Sequence, residues 1–284
     1  MQNATILALQ GPNGRDADLA PLIDAAIANN GRLSVLHVGP VPLLPAYSVG
    51  AAPYAVPYMP DDWVTKRNAM IEKMAEKQTQ TRELLKKQGL TGEVATLCVE
   101  PTGLHTQIGV RAIFADLSVV LNSLREETTA FENTVYGLLF EAPGPVILNS
   151  EKKAKALAPE NVLIAWNSSL PAARAVRGAL PLLRSAKEVT VACIDPDPKK
   201  WADGESPGAD LASWLSHHGC RVTVQEYASG GKKTSAAIMD RAAETGADLV
   251  VMGAYGRSRL NERIFGGTTR SMMEQEKMPV LMAH

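Results

Sequence analysis

The sequence predicts an α/β protein of two tandem domains, each an open and mostly parallel sheet, at residues 1–150 and 157–284. Three observations carry this. Short apolar runs of strand length alternate with longer amphipathic runs of helix length along all 284 residues. The alternation restarts after the polar, lysine-rich stretch 151–160, which reads as a linker. Similar runs then recur in the same order in both halves, the mark of a duplication.

In the first half, residues 5–9 (TILAL) read as a strand, and Gln10-Gly11-Pro12-Asn13-Gly14 as a turn. Asp16 is the expected cap of a helix reaching Ala28, with Leu19, Leu22, Ile23 and Ile27 on one face. Residues 33–38 (LSVLHV) form the second strand, whose His37 reads as a core histidine. Six prolines between Gly39 and Pro60 forbid regular structure, in a segment that also carries Tyr47, Tyr54 and Tyr58. A long helix from Asp61 to about Lys87 follows, then strand 92–99, helix 103–113, strand 116–121, helix 131–141 and strand 145–148. The second half reads as strand 161–166, helix 170–183, strand 188–194, helix 209–218, strand 221–227, helix 235–245 and strand 248–252. A helical segment, 270–276, and a last strand, 279–283, close the chain.

The internal match is specific. Ile6-Leu7-Ala8-Leu9-Gln10 aligns with Leu163-Ile164-Ala165-Trp166-Asn167, and Ala115-Asp116-Leu117 with Ala247-Asp248-Leu249. Each half ends in a short apolar strand opened by a proline, Pro145 and Pro279. Such edge-like strands are normally paired or covered, so the two halves are expected to pack through them as an intramolecular pseudo-dimer. Whether two chains then form a homodimer is left open.

Composition excludes several classes. With 29 basic and 30 acidic residues, net charge −1, there is no basic excess for a nucleic-acid backbone. No apolar run approaches a membrane span, and the N-terminus lacks the basic start of a secretory signal. Three cysteines, Cys98, Cys193 and Cys220, show no metal-ligand spacing. A cytoplasmic protein with no membrane or nucleic-acid partner is expected.

Chemistry concentrates in residues 247–269, ADLVVMGAYGRSRLNERIFGGTT. A buried strand runs into Gly253 and Gly256, where backbone can turn and approach a ligand. Gly266-Gly267-Thr268-Thr269 then opens a helix whose free N–H groups suit a phosphate. Arg257, Arg259 and Arg263 are charge-assisted donors within the loop. The first half has Leu121-Asn122-Ser123-Leu124 and Glu132-Asn133 at the matching places. Glycine is therefore not expected to be needed merely to build the fold, and Glu132 would oppose a phosphate at its helix start. The SGGKKTS run at 229–235 lacks the first glycine of a Walker loop and reads as a polar loop, with Thr234 or Ser235 capping the next helix.

The element order, with Met252-Gly253-x2-Gly256-x9-Gly266, resembles the universal stress protein family, and the tandem arrangement resembles its two-domain members. The resemblance implies Rossmann-like, adenine nucleotide alpha-hydrolase-like domains. It implies ATP bound in the second half only, held by Ala165, Asn167, Ile194, Met252, Gly253, Gly256, Gly266, Gly267, Thr268 and Thr269. Two positions depart from the family pattern. Asn167 stands where an aspartate recognises adenine, and Gly267 where serine or threonine is expected. In the first half Gln10 replaces that aspartate and the glycine motif is absent.

No catalytic or metal-binding constellation is legible. Three readings stand: a stress-response protein regulated by ATP, a slow ATPase or phosphotransfer enzyme in the same pocket, and an adaptor whose pocket is degenerate.

Overall fold

The computed structural model describes residues 1–44, 60–152, 155–196, 206–255 and 267–284. Tyr47, Tyr54 and Tyr58, Gly256 and Gly266, and Arg257, Arg259 and Arg263 lie outside these residues. The first half contributes β1 (Thr5–Gln10), β2 (Arg32–Val38), β3 (Val94–Leu97), β4 (Leu117–Val120) and β5 (Val146–Leu148). The second contributes β6 (Asn161–Trp166), β7 (Glu188–Ile194), β8 (Val222–Tyr227), β9 (Leu249–Gly253) and β10 (Val280–Ala283). Among the described residues these strands form one sheet, ordered β3-β2-β1-β4-β5-β10-β9-β6-β7-β8. It is an open α/β sheet, as the alternation predicts.

Every pairing is parallel except the central one, where β5 meets β10 antiparallel, with Val280 opposite Leu148 and Met282 opposite Val146. Both strands are buried throughout, so two apolar edges cover each other.

Eight α-helices are described: α1 (Ala20–Ala28), α2 (Asp61–Lys87), α3 (Leu104–Ala112), α4 (Thr128–Phe140), α5 (Leu170–Ser185), α6 (Ala209–His217), α7 (Thr234–Glu244) and α8 (Gly267–Glu274). They cover both faces of the sheet, which is why the strands read as nearly continuous apolar runs. One core layer joins α1, α5 and α6 to the sheet through Leu22, Val176 and Leu215. The other joins α3, α4 and α8 through Ile108, Val135 and Met272. Each layer runs across both halves.

Three local readings are corrected. Ile27 is half exposed, because the helical period carries the buried stripe through Leu22, Ile23 and Ala26 instead. Asp16 does not cap α1, whose N-cap position is Leu19; it opens a short 3-10 turn ahead of the helix. The stretch 151–160, expected as a linker, is packed against neighbouring residues of both halves at several of its described residues. Glu151 accepts from the Asn122 N–H at 2.7 Å, Ala156 and Leu157 are buried, and Glu160 bridges Lys155 and Lys187. Burial raises the Glu151 carboxyl above its ordinary range against those hydrogen bonds.

His37 is a core residue. Its Nε2 lies 3.0 Å from Thr81 Oγ1 on α2, and burial, helped by the charge of Lys77, depresses it to about 4.

Candidate functional site

The sheet order sets β9, β6 and β7 side by side, so their carboxyl ends open on one edge together. A cleft of about 550 Å³ lies there, within the range of small-molecule sites. Ala165, Asn167 and Ile194 line it from β6 and β7, and Met252 and Gly253 from β9. Gly267, Thr268 and Thr269 line it from the first turn of α8. All the described residues named from the sequence therefore border one space, although more than 100 residues separate Ala165 from Gly267.

Gly253 borders the cleft but does not make the turn read from sequence. It ends β9 in register with Ala283, and a Cβ there would collide with backbone atoms of Pro171 and Ala172 in α5. Its glycine is required by packing, which corrects the expectation drawn from the first half. There Leu121 occupies the matching position, and the close approach has moved to Gly11, whose Cβ would strike the Ser123 backbone. The sharp turn lies two residues beyond Gly253, at Tyr255, whose φ of 57° is rare for a bulky residue. The Tyr255 N–H donates to Thr269 Oγ1 at 3.1 Å, tying the exit of β9 to the start of α8. Gly267 is different: among the described residues a Cβ there meets nothing within 4 Å.

Asn167 begins the other wall. Ser169 caps α5, its Oγ accepting from the Ala172 N–H at 3.3 Å while donating to Asn167 Oδ1 at 2.7 Å. Asp195, with φ of 45°, accepts from the Ser229 N–H at 2.9 Å, and the Ser229 hydrogen bonds hold its carboxyl below the ordinary range. Asp195 is the one charged side chain among the described residues lining the cleft. Sequence reasoning missed Ser169, Asp195 and Tyr255 as cleft residues. The Asn-x-Ser spacing before a helix start was a usable signal for Ser169, whereas the other two carry none. Thr234 reaches the cleft as the first residue of α7, but the cap position belongs to Lys233, whose side chain makes no capping bond.

Tyr255 also touches the first half. Its ring lies 4.8 Å from that of Phe140 on α4 and 6.1 Å from His284, with Phe140 and His284 4.5 Å apart. Burial, then Tyr136 and Glu132, push its hydroxyl above the ordinary range. Glu132 itself sits one turn inside α4, which starts at Thr128, and so does not stand at the helix start as expected.

The matching place in the first half is filled. Gln10 is buried and donates Nε2 to the Arg15 carbonyl at 2.9 Å. Gly11 donates to Ser123 Oγ at 3.0 Å, Asn13 to Glu126 at 2.6 Å, and Lys77 to the Gly14 carbonyl at 2.6 Å. The first two bonds tie the loops after β1 and β4 to each other, and the third ties the loop after β1 to α2.

Residues 159–284 match the model of the Universal stress protein family. A universal stress protein from Archaeoglobus fulgidus DSM 4304 superposes with a TM-score of 0.66 at 17% identity, covering 99% of this chain and 96% of that one. A putative universal stress protein from Pseudomonas aeruginosa UCBPP-PA14 gives 0.54 at 15% identity, covering 98% and 92%. At these identities the likeness establishes the fold. No curated protein matches the chain at a significant level. No described helix is long and apolar enough to cross a membrane.

Proposed function

We propose, from the membership of residues 159–284 in the universal stress protein family, that the chain is a stress-response protein regulated by a nucleotide, ATP in the family pattern, held in its second half. The observation that carries this is the single cleft bordered by Ala165, Asn167, Ile194, Met252, Gly267, Thr268 and Thr269. The residues present fit such a ligand. Apolar walls at Ala165 and Ile194 suit a base, and the first turn of α8, which borders the cleft with Gly267, Thr268 and Thr269, suits phosphate oxygens. Regulation rather than catalysis is favoured because Asp195 is the one charged side chain among the described residues lining the cleft.

The test is calorimetric titration of the full chain with ATP beside Gly267→Glu. A carboxylate at the start of α8 suits the helix dipole, and a Cβ at Gly267 meets nothing within 4 Å among the described residues, so folding should survive while affinity falls at least about tenfold through charge repulsion. No ATP binding at millimolar concentration would falsify the proposal. Steady phosphate release abolished by replacing Asp195 would favour a slow ATPase instead.

A further inference from the structure

We propose that Phe140, in the first half, is a positioning residue for the cleft of the second half. It holds Tyr255 at the edge of the cleft, so ligand affinity in one half depends on a side chain of the other. This rests on the nucleotide reading above and extends it.

The sheet topology delivers Phe140 to that place. α4 leads into β5, so its last turn lies toward the amino end of that strand. β5 and β10 pair antiparallel, which sets the amino end of β5 beside the carboxyl end of β10, with Val146 opposite Met282. β10 runs parallel to β9, with Ala283 beside Gly253, and the cleft opens at that same edge. The one antiparallel pairing of the sheet thus brings the end of a first-half helix to the mouth of a second-half cleft.

Tyr136 and Phe140 stand one turn apart on α4, and their rings lie 4.5 Å from each other. Phe140 in turn meets Tyr255 at 4.8 Å and His284 at 4.5 Å, with the rings tilted rather than stacked face to face. Tyr255 lines the cleft, and Phe140 is not among the described residues that do. At φ 57° Tyr255 holds a conformation that a bulky residue keeps only where its surroundings fix it. Its N–H donates to Thr269 Oγ1 at 3.1 Å and its hydroxyl lies 3.7 Å from Met273 Sδ, both on α8. The Phe140 ring supports it from the first half. Releasing that ring loosens Tyr255, and through the Thr269 bond it loosens the turn of α8 assigned to the phosphates. The reciprocal contact of the second half on the first is polar, the Gln275 carbonyl accepting from Asn149 Nδ2 at 2.8 Å. The aromatic joint therefore stands on the side that carries the cleft.

Calorimetric titration of the full chain with ATP tests this, with Phe140→Ala made in the wild-type and in a Thr269→Val background. Unchanged circular dichroism establishes that each variant folds, and Phe140→Leu takes the place of Phe140→Ala if the latter does not. Phe140→Ala should lower ATP affinity about fivefold in the wild type, the low end of coupling between separate sites. With the Tyr255–Thr269 bond already gone, the same change should cost less than about twofold, because the two act in series. Reciprocally, saturating ATP should slow amide exchange across residues 137–140 in the wild type. An affinity unmoved by the Phe140 variant, an equal loss in both backgrounds, or exchange at 137–140 indifferent to ATP overturns the positioning role and leaves the nucleotide site standing. No binding of ATP to the wild type at millimolar concentration overturns both.

Discussion

Gly253 at the end of β9 lies directly against the backbone of Ala172 in the first turn of α5, with no space between them for a Cβ. The glycine closest to the sheet in the 247–269 motif is therefore a packing residue that also borders the cleft. Gly253→Ala forces β9 and α5 apart and should cost about 1–3 kcal/mol. Gly267→Ala, with no described atom within 4 Å of the added Cβ, should change stability by no more than about 0.5 kcal/mol. Urea midpoints measure both. Equal midpoints for the two variants would mean that the close approach is not there.

Asn149 is the polar joint between the halves. It is fully buried at φ 60°, donates Nδ2 to the Gln275 carbonyl at 2.8 Å and accepts at Oδ1 from Arg125 at 2.8 Å. Asn149→Ala strands a buried carbonyl and an arginine and should destabilise by about 2–4 kcal/mol. Asn149→Gly relieves only the left-handed backbone, recovering about 1 kcal/mol of that. Chemical denaturation of the two variants separates the contributions.

His37 gives stability a pH dependence. Its folded value near 4 lies below the ordinary histidine value of 6.5, so between those limits the unfolded chain binds the extra proton. Stability from keeping His37 neutral is complete above pH 6.5 and is lost as pH falls toward 4, by about 3 kcal/mol at most. Unfolding free energies measured from pH 7.5 to 4 should fall along that course. A His37→Leu variant should show a flatter profile, and parallel profiles would exclude the histidine as the source.

One nucleotide per chain is the expected stoichiometry. Gln10 fills the first half's counterpart, and hydrogen bonds from Gly11 and Asn13 close the loops above it. Gln10→Asp alone should add no second site. Equilibrium dialysis approaching two nucleotides per chain would show that those loops open.

Much of the fold was legible because strands buried on both faces must be short and apolar, and the helices between them amphipathic. The 151–160 stretch misled because Lys155 pairs with Glu160 while Ala156 and Leu157 turn inward. Composition alone does not record that difference. The internal comparison at Gly253 misled for a related reason. The two halves need one close approach each, but Gly11 makes it in one half and Gly253 in the other.

The sequence by itself determined the α/β class, the duplicated order of elements and the match of residues 159–284 to a known family model. Those depend on local periodicity and on motif spacing along the chain. Tertiary structure alone decided that Ala165, Asn167 and Gly267 share one cleft, because strand order brings β6 between β7 and β9. It alone decided that Tyr255, and not Gly253, makes the sharp turn, and that Gly253 is glycine because α5 crosses there. The described residues of the 247–269 stretch thus separate into those that build the sheet and those that only border the cleft. Only contacts between distant segments draw that line.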